Sequence, residues 1–154
     1  MPDTEDRLQR ALELGYRYLN RRDRTVGEMR RHLARQGVDR HTTDETIATL
    51  SEQGYLNDAR FARLLAEDKR ELEQWGRERI ERTLLERGID RALVDETLAS
   101  MAPQREFERA LEVLERRFPS LLADRRDRDR ALGVLLRKGY DTELALDALR
   151  AYTR

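Results

Sequence analysis

The sequence predicts an all-α protein, an elongated, curved array of three tandem three-helix repeats. Three observations carry this expectation. The segment "LARQGVD" (33–39) returns as "LLERGID" (84–90) and as "LLRKGYD" (135–141), at a constant offset of 51 residues. Apolar side chains recur at three- and four-residue spacing, the period of a helix with one buried face. Charged residues make up 40% of the chain and hydrophobic ones 38%, with only three prolines, so the surface is large relative to any core.

At the 51-residue offset Leu33, Leu84 and Leu135 align, as do Gly37, Gly88 and Gly139, then Asp39, Asp90 and Asp141. "RALEL" (10–14) also resembles "RALEV" (109–113), displaced by three residues from that period. In the first copy, Leu8, Ala11, Leu12, Gly15, Tyr16 and Leu19 draw one apolar stripe on the first helix. The second helix opens at Thr25-Val26-Gly27-Glu28, which has capping-box spacing, and buries Val26, Met29 and Leu33. It stops at Gly37, where a left-handed backbone costs glycine nothing. The third helix starts among Asp39 to Thr43, buries Ile47 and Leu50, and ends at Gly54.

The second copy repeats the pattern with Phe61, Leu64, Leu65 and Leu72, then Ile80 and Leu84, then Leu93, Leu98 and Met101. The third uses Phe107, Ala110, Leu111, Leu114 and Phe118, then Leu132, Leu135 and Leu136, then Leu144, Leu149 and Tyr152. Thr25, Gly76 and Asp127 align at the period and are all residue types favoured as N-caps, so they mark the starts of the three second helices. Pro103 suits a first helical turn. The expected units are 1–54, 55–102 and 103–154, bending at joints that hold few apolar residues. The first joint is expected at Gly54, Tyr55, Leu56, Asn57, Asp58 and Phe61: Gly54 ends one unit, Tyr55 and Leu56 plug the contact, Asn57 caps the next helix and Phe61 begins its stripe.

Composition excludes several classes of function. No cysteine is present, so there are no disulfides or thiolate metal sites, which fits a reducing compartment. The start, MPDTEDRLQR, carries acids and no apolar run, unlike a signal or transit peptide, and no segment reaches the roughly 20 apolar residues of a membrane span. A cytoplasmic monomer is the expectation. His32 and His41 are the only histidines, nine residues apart, and nothing completes a metal set with them. Asp44-Glu45 and Asp95-Glu96 are expected in the first turns of their helices, where carboxylates complement the helix dipole. No phosphate loop of the G-x-x-x-x-G-K-[ST] kind occurs. The chain is expected to be no enzyme and to need no cofactor.

The arginines are the candidates for binding. Net charge is zero, but residues 17–40 hold eight arginines against three acids. Arg21, Arg22, Arg24, Arg30, Arg31 and Arg35 surround the second helix of the first copy; Arg77, Arg79, Arg82 and Arg87 occupy the second, and Arg128, Arg130, Arg137 and Lys138 the third. Such a run is ordinarily a solvated face with i,i+4 partners, and Glu28, Glu78, Glu81, Glu86 and Asp129 are at hand. The other reading is a row of basic ridges that meets an acidic protein surface or a phosphate backbone. Trp75, the single tryptophan, is expected to pack in the core rather than stack on a base, since no other aromatics interleave with the nearby basic residues.

A basic second helix ending in Leu-x-x-x-Gly is followed by "L-x-x-x-GYLND-x-x-FA", a bend with Arg and Gly, and "RI-x-x-x-L-x-x-RGI". This series resembles the RecX family, bacterial regulators of the RecA recombinase. The residues that carry it are Leu33, Gly37, Leu50, Gly54 to Asp58, Arg60 to Ala62, Gly76 to Ile80, Leu84, Gly88, Ile89, Leu135, Lys138, Gly139 and Tyr140. Asn57 stands where family members often have aspartate, and caps a helix equally well. The resemblance implies three tandem three-helix repeats that bind in the groove of the RecA filament on single-stranded DNA, with direct contacts to DNA phosphate open. It implies inhibition of the filament's ATPase and strand exchange, hence a role in recombination, DNA repair and the SOS response. The residues alone leave two alternatives: a helix-turn-helix-like DNA-binding protein, and a helical adaptor. The third helices, with "TTDETIATL" and "ALVDETLASM", lack base-reading basic side chains.

Overall fold

The computed structural model describes residues 3–120 and 123–154; residues 1–2, at the head of the first expected unit, and 121–122, within the third, lie outside the description. Among the described residues there are nine helices and no strand: α1 (Thr4–Leu19), α2 (Val26–Arg35), α3 (Arg40–Glu52), α4 (Asp58–Glu71), α5 (Arg77–Glu86), α6 (Arg91–Leu98), α7 (Pro103–Arg117), α8 (Arg125–Lys138) and α9 (Thr142–Tyr152). Their starts follow from local chemistry. Asp3, Asp39, Asn57, Asp124 and Asp141 each accept a hydrogen bond from the amide three residues on, satisfying a donor the helix leaves open. Thr25 and Glu28 form both halves of the capping box, and Pro103 takes the first position of α7.

The ends follow too. Gly37, Gly54, Gly88 and Gly139 all have left-handed backbone, with φ of 82°, 83°, 83° and 98°. At each, an amide just beyond the helix returns to a carbonyl of its last turns: Val38 to Leu33, Tyr55 to Leu50, Ile89 to Leu84 and Tyr140 to Leu135.

One start differs from the sequence reading. Asp127 is not the N-cap of α8, which begins one turn earlier at Arg125 with Asp124 as its cap; the Asp127 amide is the group that Asp124 receives. The physical reason lies in the neighbours. α2 and α5 each begin against the glycine turn of the following unit, whereas among the described residues no glycine turn lies against the start of α8.

Every extensive helix–helix contact lies inside a unit: α1 to α3, α4 to α6 and α7 to α9, with the middle helices packed onto each pair. Three separate cores result. Met29, Leu33, Ile47, Leu50 and Leu56 form the first; Ile80, Leu84, Ile89, Val94, Leu98 and Met101, with Ala62 and Ala66, the second; Val113, Leu114, Val134, Leu135, Tyr140 and Leu149, with four alanines, the third. The accessible surface is 9984 Å², against roughly 8,100 Å² for a compact protein of this mass. The excess is what an extended row of small cores produces.

Candidate functional site

The units meet at two narrow, polar joints. At the first, Gly27 lies so close to Gly88 that a Cβ added to it would sit 2.8 Å from the Gly88 carbonyl oxygen. The Thr25 hydroxyl donates to the Arg87 carbonyl (2.5 Å), and the Val26 amide donates to Asp58 Oδ1 (2.9 Å). Arg87 grips Glu28 with Nε (2.9 Å) and a terminal nitrogen (3.1 Å), and lies over the Phe61 ring. Burial pushes the Glu28 carboxyl up, but the Arg87 hydrogen bonds, the Thr25 amide and the charges of Arg87 and Arg22 together hold it below its ordinary value. Burial raises Asp58; the Val26 amide offsets part of this, and the negative Glu28 adds to it. All of these bonds run through side chains.

At the second joint a Cβ on Gly76 would sit 2.5 Å from the Gly139 carbonyl oxygen. Here backbone meets backbone: the Gly76 amide donates to the Lys138 carbonyl (2.7 Å) and the Glu78 amide to the Gly139 carbonyl (3.0 Å). The Arg77 amide donates to Glu106 (3.0 Å), the Arg79 guanidinium to the Arg137 carbonyl (3.1 Å), and Lys138 Nζ to the Glu73 carbonyl (2.7 Å). The buried Tyr140 hydroxyl donates to the carbonyl of Gln74, whose backbone is left-handed (φ 57°). Burial drives that hydroxyl well above the ordinary tyrosine value and raises Glu106 as well. It lowers Lys138, with the Arg117 charge adding to the effect.

Of the expected joint residues, Asp58 makes the direct bond across. Asn57 caps α4, and Leu56, 2% exposed, sits in the first core. Tyr55 is 57% exposed, its ring edge-on to Tyr16 of α1 in the first unit. Gly54 supplies the left-handed turn, and Phe61 packs on the second core beneath Arg87. Glu106 and Arg109 were missed in the sequence. Glu106 receives Arg77 as Asp58 receives Val26; the donors are 51 apart but the acceptors 48, the same three-residue displacement seen between "RALEL" and "RALEV". Arg109 binds Glu71 (3.0 Å) and the Arg70 carbonyl, tying α7 to the end of α4.

The arginine candidates divide into two groups. Arg30 is held by Asp44 (2.6 Å), Arg22 lies 3.6 Å from Glu28, and Arg130 lies 3.9 Å from Asp127 and near the Phe118 ring. Arg24 stacks on Tyr18, while Arg79 and Lys138 belong to the second joint. Arg31, Arg35, Arg77, Arg82, Arg128 and Arg137 are exposed, and among the described residues none has a carboxylate within ion-pair distance. These six fall at three repeat positions: Arg31 with Arg82, Arg35 with Arg137, and Arg77 with Arg128, each pair separated by the period or twice it.

Trp75 packs against the second core, as expected, though it is only partly buried. Its ring is half-buried against the second core, with Arg79 3.9 Å and Lys69 4.8 Å from its centroid. His41 reaches Glu45 (2.7 Å) one turn along α3. Among the described residues, no group of three or more His, Asp or Glu side chains could hold a metal ion, and no helix is long and apolar enough to cross a membrane.

Three family models match the three units in order. The first three-helix domain of RecX matches residues 11–50, the second 57–98 and the third 104–149. The chain belongs to the RecX family. It is 34% identical over 146 residues to the regulatory protein RecX of Deinococcus radiodurans, covering 95% of this chain and 70% of that one. It is 29% identical to the regulatory protein RecX of Amycolatopsis mediterranei, covering 97% and 87%. The fold is similar to the crystal structure of RecX from Lactobacillus salivarius, with a TM-score of 0.79 at 19% identity over 96% of this chain and 97% of that one. The RecX relatives above are regulatory proteins by name, and the geometry found here is one of contact surfaces.

Proposed function

We propose that this protein regulates the RecA recombinase by binding along the RecA filament on single-stranded DNA, mainly inhibiting ATP hydrolysis and strand exchange. It acts in the cytoplasm, in DNA repair and the SOS response, as a monomer without catalytic chemistry of its own. Membership of a family of regulatory proteins supports the class of function. The observation that carries the reading further is the periodic set of exposed guanidiniums without carboxylate partners: Arg31 and Arg35, Arg77 and Arg82, Arg128 and Arg137. Each unit presents two, so the row offers charge at intervals to a repeating partner. Single exposed pairs contribute little. Joined on one chain they act at high effective concentration, and several weak contacts to successive protomers of a helical polymer become one firm attachment.

The equivalent pair Arg31 and Arg82 tests this, because among the described residues neither makes an ion pair, although Arg31 lies beside Gly88 at the first joint. The Arg31→Glu, Arg82→Glu variant should keep the helical signal of the parent in circular dichroism. Its affinity for RecA-coated single-stranded DNA should fall at least about tenfold, since two attractive contacts become repulsive. Undiminished filament binding by a folded variant would remove the basic ridges from the mechanism.

A further inference from the structure

The first unit carries a second basic feature that the ridge does not use. The end of α1 and the last turn of α2 enclose a depression of about 290 Å³, lined by Leu14, Arg17, Tyr18, Arg21, His32 and Gln36, with no carboxylate in its wall. Arg17 and Arg21 are exposed and, among the described residues, pair with no acid. Tyr18 is stacked on His32, with ring centroids 3.9 Å apart and planes at 4°, and the Arg24 guanidinium carbon lies 3.8 Å from the same tyrosine centroid. Two groups that close cannot share one face, so both faces of Tyr18 are covered. The groups facing His32 are thus Tyr18 from α1, Arg21 and Arg24 from the loop, and Arg35 from its own helix. Among the described residues no acidic side chain offsets this charge at His32.

We infer that the depression binds a phosphodiester of a single-stranded nucleic acid, held by the Arg17 and Arg21 guanidiniums with His32 and Gln36 in its wall. Guanidinium forks match phosphate oxygens in shape as well as charge. Because Tyr18 has no free face, the site has no tyrosine platform for a base, so it reads backbone and not sequence. The inference rests on the filament reading for its choice of polymer, since a filament regulator works beside exposed single strands. His32 gives the site a reporter. In the free protein, burial and then the charges of Arg35, Arg24 and Arg21 hold its imidazole below the ordinary histidine value. A bound phosphate would relieve that repulsion, so His32 takes up a proton on binding, and affinity rises as pH falls through the histidine range.

The test uses proton NMR of the two histidines in the full chain, His32 and His41, titrated with pH in the absence and presence of a twelve-residue oligothymidylate. The expected result is an upward move of the His32 midpoint with His41 unmoved. Arg17→Ala, Arg21→Ala should weaken oligonucleotide binding at least about tenfold and reduce its log–log salt slope by about 1.4, while Arg17→Lys, Arg21→Lys keeps the slope. Circular dichroism checks that both variants fold. Failure to bind the oligonucleotide, a static His32 in the bound state, or an unchanged salt slope in the alanine variant would overturn the inference. An equal His32 shift with inorganic phosphate at the same phosphorus concentration would overturn the assignment to nucleic acid. No recombinase is present in these measurements, so their failure leaves the filament reading standing.

Discussion

Glu28 joins the helix cap of one unit to the arginine of the next, and its protonation governs both. Its folded value lies below the ordinary 4.5, so its contribution is present at neutral pH and is lost as pH falls through that lowered value. Asp58 has the opposite sign: its raised value favours the protonated form, and that contribution is lost as pH rises through it. Glu28→Gln should therefore cost about 2 kcal/mol at neutral pH, the scale of hydrogen bonds to a charged partner. The gap from the parent should close as the solution is acidified below the ordinary glutamate range, as measured by denaturant titration across pH. The capping role of Glu28 was readable from its spacing to Thr25. Its hold on Arg87, 59 residues away, was not, because a period identifies equivalent residues and not the partners that face one another.

Among the elements, seven of nine helix starts are set by a capping side chain or a first-turn proline close at hand, and the period located the second helices of the first two units. It failed at α8, where Asp127 aligned with Thr25 and Gly76 although the helix begins a turn upstream. Equivalence in sequence presupposes an equivalent neighbour, and among the described residues no glycine turn lies against the start of α8 as one does against α2 and α5. Asp124→Ala should lower stability by about 1 kcal/mol, the usual cost of losing an N-cap. Asp127→Ala, which removes a partly exposed first-turn charge and its long contact to Arg130, should cost less than half of that. Thermal melts followed by circular dichroism distinguish the two. Trp75 packs on the second core as its sequence context suggested, but the cover that Arg79 and Lys69 give its ring was not legible, because their placement over it is set only by folding.

Across the whole molecule the two joints differ in kind. The second is sewn by backbone hydrogen bonds from Gly76 and Glu78; the first, among the described residues, only through side chains, with the Glu28–Arg87 pair at its centre. Salt screens side-chain charge and leaves backbone pairing largely intact. The chain has no cysteine, so labels can be placed freely: Ser51→Cys with Glu86→Cys reports the first joint, and Glu86→Cys with Glu143→Cys the second. Raising salt to about 1 M, where screening extends to about 3 Å, should broaden the single-molecule distance distribution across the first joint and leave the second narrow. The repeat number, the three-helix unit and the basic second helices were all readable from the sequence. The division of the arginines was not, since whether a guanidinium is held or free depends on carboxylates brought close only by folding.

That division is what the functional account depends on, and RecA-dependent ATP hydrolysis on single-stranded DNA tests it most directly. The protein should slow hydrolysis in a concentration-dependent way, and the Arg31→Glu, Arg82→Glu variant should need at least about ten times more protein for the same effect, matching the loss of two contacts. Hydrolysis unaffected by the parent protein, or slowed equally by parent and folded variant, would contradict the account.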